Sequence, residues 1–287
     1  MPTTVASEPA STPRGGRNLP AAIGVGLGLI VALVVGLVWV HWFFVLLTAA
    51  ALCLGAVEVH MALERKGMHA AIVPIVVGTA VSIIGGWAVA RFDLMAPSNF
   101  IVACLGATLL ASFTARLRGG SEGFLRDAAA SALIIAYIPL LGVFVSLLMG
   151  EQDGAFRILV IVLCVTAADT GAYTFGSIFG KHKLAPQISP SKTWEGVIGG
   201  VATAAGIGVA AVLLFLDSPW WVGLVLGICC ALAGTLGDLV ESLIKRDAGI
   251  KDMSNFLPGH GGVMDRLDSL LAAVPVGWLV LHLALGA

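Results

Sequence analysis

Apolar residues run through this chain in long blocks, and polar residues are swept into the gaps between them. A helix needs about 20 apolar residues to cross a bilayer. The blocks predict nine spans, at 19–37, 39–62, 70–90, 98–115, 127–149, 157–179, 195–215, 219–244 and 269–286. The first two divide at Val38 to Trp42, where only Trp, Val and His interrupt the run. The fold expected is an all-α polytopic membrane protein of about nine transmembrane helices. Composition agrees: 58% of the 287 residues are hydrophobic and 11% are charged, against about 25% charged in soluble domains. Mean hydropathy is +0.98. Such a chain could not cover a water-facing surface, so the bilayer is its main solvent.

The basic residues give the spans a direction. Threading nine spans from a cytoplasmic N-terminus places 14 of the 16 Lys and Arg on the inside and only Arg91 and Arg157 outside, the asymmetry that the positive-inside rule requires. The C-terminus is then outside. Residues 1–18, rich in Ser, Thr, Pro and Gly, are expected to be a disordered cytoplasmic tail rather than a signal peptide. Residues 19–150 read as N-terminal transmembrane helices. Residues 151–287 read as C-terminal helices and cytoplasmic loops forming a catalytic region within one membrane domain. The inside loops are short except 116–126, 180–194 and 245–268, and the last two hold most of the polar residues of the C-terminal half. Cys53, Cys104, Cys164, Cys229 and Cys230 all lie in apolar runs without metal-ligand spacing, as small buried side chains do.

Carboxylates inside or near the ends of spans are costly and usually functional. Asp169, Asp238 and Glu241 are such residues. Asp238, Glu241, Ser242 and Lys245 share one helix face by their spacing. Glu241 and Lys245 read equally as an interfacial ion pair. Glu58, also within a span, fits a packing role as well as a catalytic one.

The stretch from Lys245 to Asp268 concentrates a different chemistry. Gly259, Gly261 and Gly262 around His260 allow tight turns and expose backbone N–H groups. Lys245, Arg246, Lys251 and Arg266 offer cations for several phosphates, and His260 suits contact with a phosphate or a base. Asp265 and Asp268, three apart, share a face at the start of the last span. Carboxylates among bases at a membrane surface point to Mg²⁺ and phosphate, since Mg²⁺ prefers one or two carboxylates plus substrate oxygens. Upstream, Asp169-Thr170-Gly171-Ala172-Tyr173 leads through a basic Ser/Pro loop into a new helix near Thr193. Lys192 and Thr193 at that helix start could hold an anion, or Thr193 could serve as an ordinary N-cap.

The run Ser242-x-Ile244-Lys245-Arg246-x4-Lys251-Asp252-x-Ser254-x2-Leu257-Pro258-x-His260-Gly261-Gly262-x2-Asp265-Arg266-x-Asp268 resembles the signature of phosphatidate cytidylyltransferases, also called CDP-diacylglycerol synthases. No fixed position departs from it. The Asp169–Tyr173 segment and Ser189-Pro190-x-Lys192-Thr193-x-Glu195-Gly196 look like the same family, with Ser191 where many members carry Lys.

The resemblance implies transfer of the cytidylyl group of CTP to phosphatidate, giving CDP-diacylglycerol and pyrophosphate. It implies Mg²⁺, a second cation such as K⁺, an often dimeric helical membrane protein, and no nucleic acid partner. The site would face the cytoplasm from a bacterial-type inner membrane. Asp238 and Asp265 match the family's metal positions, with Asp268 beside them. Lys245, Arg246, Lys251, Arg266 and Lys192 are expected to hold phosphates, with Ser189, Thr193, His260, Gly261, Gly262 and Asp169 lining the substrates. The alternatives are another CTP-dependent lipid enzyme, such as a polyprenol kinase or a CDP-archaeol-type synthase, and a cation-coupled transporter. The hallmark of CDP-alcohol phosphotransferases is absent.

Overall fold

A computed structural model describes residues 28, 31–256 and 261–286. The expected tail 1–18, most of the expected first span 19–37 and His260 lie outside the described residues. Residues 31–38 are helical, and the helix is interrupted at Trp39 and Val40 before α1. The main elements follow as α1 (His41–Glu64), α2 (Ile72–Arg91), α3 (Pro97–Ala115), a 3₁₀ turn (Arg116–Gly119), α4 (Phe124–Tyr137), α5 (Pro139–Gly150), α6 (Gly154–Phe179), β1 (Lys183–Ala185), β2 (Ser189–Thr193), α7 (Trp194–Phe215), α8 (Trp220–Ala248) and α9 (Met264–Leu285).

Among the described residues, eight helical segments are long and apolar enough to cross a membrane. They match the second to ninth expected spans, and the all-α membrane fold stands. Only a helix satisfies its own backbone groups in hydrocarbon, which is why each apolar block folds this way. The fifth expected span is two helices in line: Pro139 starts α5 directly after Ile138, which sits at φ −106° and ψ −71°. Proline has no N–H and crowds the preceding turn, yet Gly142 N still donates to Ile138 O at 2.8 Å. The hydrogen-bonded ladder thus carries across the join.

Hydroxyls inside the spans find partners at once. Thr79, Ser82, Thr108 and Ser112 each donate to the carbonyl four residues back, at 2.7–2.8 Å. Ser146 instead crosses from α5 to Ile83 O in α2, 2.8 Å away. Leu37, Ile75, Ile134, Ile161, Leu226 and Leu281 lie at the centre of the main apolar core.

Several of the bases assigned to the inside meet at one end of the bundle. Lys66, after α1, pairs with Asp247 at the end of α8 at 3.3 Å. Arg116 pairs with the buried Asp127 at 2.7 Å, and Asp127 also accepts from His69 N at 2.8 Å. Arg157, assigned to the other side, bonds Asp153 at 2.7 Å and Gly286 O at 3.2 Å, at the opposite ends of α6 and α9. The hairpin β1–β2 was not expected. Residues 180–194 read as a loop, but Lys183 pairs with Thr193 and Ala185 with Ser189, antiparallel and with an irregular register.

Candidate active site

The basic end of the bundle carries two charged centres and one cavity, and a second cavity runs from it into the bundle interior. The first centre begins with Thr193, which ends β2 and caps α7: its side chain accepts from Gly196 N at 3.1 Å. The ordinary N-cap reading of Thr193 is therefore what the structure shows for its hydroxyl. Its neighbour Lys192 is aimed at α8, where its ammonium meets Asp238 Oδ2 at 2.6 Å and Thr235 O at 3.5 Å. Ser242, one turn beyond Asp238, donates to Asp238 Oδ1 at 3.2 Å. The start of α7 is braced separately, with Glu195 accepting from the His182 backbone at 3.2 Å.

This centre opens on a cavity of about 470 Å³ between α6, β2, α7 and α8, whose largely apolar wall carries the polar groups of Asp169, Tyr173, Lys192, Thr193, Thr235 and Asp238. The sequence had placed Asp169, Lys192, Thr193 and Asp238 in the site, and the fold brings those four together. Tyr173 and Thr235 were not assigned roles. Tyr173 stood inside the Asp169–Tyr173 motif, whereas Thr235, one turn before Asp238, carried no signal of its own.

The second centre lies where α8 meets α9. The helices approach so closely that a Cβ on Gly237 would run into the Asp268 carbonyl oxygen, which sets Asp238 and Asp268 on either side of one crossing. Asp268 Oδ1 accepts from its neighbour's N–H, Ser269, at 2.7 Å. Lys245 reaches between two acids, pairing with the fully buried Glu241 one turn back and with Asp265 Oδ1 at 2.8 Å. Both readings of Glu241 and Lys245 thus meet: they are an ion pair, and the pair extends into the site. Asp265 Oδ2 accepts from Met253 N at 2.9 Å and from Gly262 N at 2.8 Å. Gly261 has φ 82°, the left-handed turn expected of the Gly-rich stretch.

The remaining assigned residues surround these centres. Arg246 donates from Nε to Ile188 O at 3.1 Å, tying α8 to the hairpin. Lys251 is exposed in the loop after α8, and Ser189 starts β2 half-buried. Arg266 is exposed beside Asp265 and borders the second cavity, about 410 Å³ between α1, α5, α6 and α9. That cavity is apolar, with Leu52, Val145, Val162, Leu267 and Leu270 in its walls.

Among the described residues no three His, Cys, Asp or Glu side chains converge in a metal-binding group. The donor set still suits a hard cation, because Mg²⁺ is usually held by one or two carboxylates and completed by substrate phosphates and water. Asp238 and Asp265 each already hold a lysine ammonium at 2.6–2.8 Å, so both are poised for positive charge.

The chain matches the family model described as "Cytidylyltransferase family" over residues 20–284. It is 38% identical over 282 residues to a phosphatidate cytidylyltransferase of Mycobacterium leprae, covering 95% of this chain and 90% of the relative. It is 35% identical over 283 residues to one of Mycobacterium bovis, covering 96% and 92%. A third, from Haemophilus influenzae, is 47% identical over 129 residues, or 42% of this chain. These names favour neither a kinase nor a transporter.

Proposed function

The chain belongs to the cytidylyltransferase family, and from that premise we propose that it transfers the cytidylyl group of CTP to phosphatidate, giving CDP-diacylglycerol and pyrophosphate. The observation that carries this is the gathering of Asp169, Lys192 and Asp238 around a cavity at the basic end of the bundle, with an apolar cavity in the bundle interior that reaches Arg266. One suits a nucleotide, the other an acyl chain.

In this reading the basic end faces the cytoplasm of a bacterial-type inner membrane, where CTP is available and the lipid phosphate reaches the interface. CTP enters the cavity beside Asp238. Phosphatidate places its phosphate near Arg266 and one acyl chain against Leu52, Val145 and Leu270. An oxygen of its phosphate attacks the α-phosphorus of CTP, and the bond from that phosphorus to the bridging oxygen of the β-phosphate breaks. Pyrophosphate leaves with that bonding pair. The nucleophile is already an anion, so the demand on the protein is to hold two polyanions in line. Lys192, Lys245, Arg246, Lys251 and Arg266 supply cations for the phosphates, with Ser189, Thr193, Gly261 and Gly262 around them; the sequence assigns His260 to the same contacts.

Asp238, Asp265 and Asp268 would hold Mg²⁺, and a second cation such as K⁺ belongs to the same reading. Bound Mg²⁺ supplies charge neutralisation for the phosphates and the leaving pyrophosphate. The lysines now paired with Asp238 and Asp265 would then turn to phosphate. The reading includes a homodimer, as the family resemblance implies.

The deciding experiment supplies purified protein with CTP, phosphatidate and Mg²⁺ and follows both phosphate products. Pyrophosphate and CDP-lipid in equal amounts are expected. Release of CDP instead would make the protein a kinase, and no turnover with solute uptake in proteoliposomes would make it a transporter.

A further inference from the structure

Glu58 stands apart from both charged centres in sequence, yet it ends beside the second. It lies in α1, in the N-terminal half, and is 3% exposed. A carboxylate buried within a span is costly unless every lone pair is answered. Here the answers all come from the signature loop. Glu58 Oε1 accepts from Val263 N at 2.9 Å and from the Ser254 hydroxyl at 2.5 Å, and Oε2 accepts from Met264 N at 2.7 Å. Val263 and Met264 are the N-cap and first residue of α9, so the acid sits on the unpaired N–H groups and positive dipole end of the helix that carries Asp265, Arg266 and Asp268.

The same carboxylate reaches both strands of the loop. Ser254 belongs to its outgoing limb and Val263 to its returning limb. Asp265 does the matching work from the other side, holding Met253 and Gly262. A Cβ on Gly262 would lie 2.8 and 2.9 Å from the two Glu58 oxygens and 3.0 Å from Asp265 Oδ2. Only glycine lets the backbone pass between the two acids.

We propose that Glu58 is a positioning residue for the cytidylyl transfer: it pins the loop limbs 251–256 and 261–263 to the start of α9 and so sets Lys251, Asp265 and Arg266 in their working places. It touches no substrate. The proposal rests on the reaction assigned above, and it gives the N-terminal half a role in the chemistry beyond anchoring.

The test pairs kinetics with a nitroxide on Asn255→Cys, an exposed loop position, with background labelling measured on protein lacking that substitution. Displacement of a reacting group by about 1 Å can cost roughly 100-fold in rate. Glu58→Ala is therefore expected to lower kcat about 100-fold with KM for CTP changed less than about 3-fold, and to mobilise the nitroxide. Glu58→Gln keeps one acceptor oxygen and is expected to recover kcat to within about 10-fold of wild type, with a partly immobilised label. A nitroxide on α3, at Val102→Cys, should not respond to either variant.

Wild-type kcat in Glu58→Ala, or lost turnover with an unchanged Asn255 spectrum, would overturn the proposal. If Glu58→Ala does not fold, Glu58→Gln and Ser254→Ala decide it: both leaving kcat and label mobility at wild-type values overturns it. Wild-type protein that makes no pyrophosphate from CTP and phosphatidate sinks the reaction instead, while the nitroxide comparison still reports on the loop.

Discussion

The two lysine–aspartate pairs at the basic end look alike on paper and differ in what surrounds them. In Lys192–Asp238 the acid's side chain is 31% exposed and faces the cavity it shares with Asp169; in Lys245–Asp265 it is 8% exposed. Among the described residues Asp238 meets a lysine and a hydroxyl. Asp265 meets a lysine and two backbone N–H groups, which commits it to the loop unless Lys245 moves. The same charge pair thus serves two ends. One is open to incoming ligands; the other builds the loop that ligands meet. The metal assignment asks Asp265 for both duties, and that is where the comparison can be broken.

The largest effect is expected from Asp265→Asn. It should lower CTP-dependent CDP-lipid formation by roughly 1000-fold with expression and membrane insertion intact, and it should loosen the loop as read by a label at Asn255. Near-normal turnover would remove Asp265 from the metal site. Asp238→Asn should cost roughly 100-fold and raise the Mg²⁺ concentration needed for half-maximal rate about 10-fold or more, with the loop label unmoved. If that label responds as it does in Asp265→Asn, the contrast between an open and a structural acid is wrong. Ala51 also lines the apolar cavity, and filling that space with Ala51→Phe should reduce kcat/KM for long-chain phosphatidate about 10-fold while sparing a short-chain substrate. Equal losses for both lipids would place the acyl chain elsewhere. The smallest effect belongs to Arg246→Ala. Arg246 is an exposed cation already bonded to the Ile188 carbonyl, so its loss should raise KM for CTP only about 5-fold; wild-type KM and turnover would leave it holding the hairpin alone.

Much of this was written in the chain in one-dimensional form. Apolar blocks gave the spans because length and hydropathy alone decide whether a helix crosses a bilayer. Lys192 and Asp238, both singled out from sequence, meet across a gap that no spacing rule covers, since the hairpin delivers one and α8 the other. The hairpin itself escaped notice. Strands of 3 and 5 residues, rich in Ser, Lys and Pro, bury too little to show an alternating pattern. Glu58 was visible as an intramembrane acid, but its partners are 196 to 206 residues away. Two of its three donors are backbone groups, which leave no mark on side-chain identity. The join before Pro139 lies inside a single apolar span because proline at a helix start costs only a bond that would be missing anyway.

The helix α6 borders both cavities, and its length fixes their relation. Val162 lines the apolar one and Asp169 the other, about 10 Å apart along the axis at about 1.5 Å per residue. That interval is built into a rigid rod, whereas the plane of the lipid phosphates is set by the host membrane. A bilayer thinner or thicker than the protein's own apolar belt would carry the phosphates above or below the level of Asp169, and the helices would have to tilt to compensate. Turnover should therefore track membrane thickness, with an optimum where headgroup and carboxylate lie level.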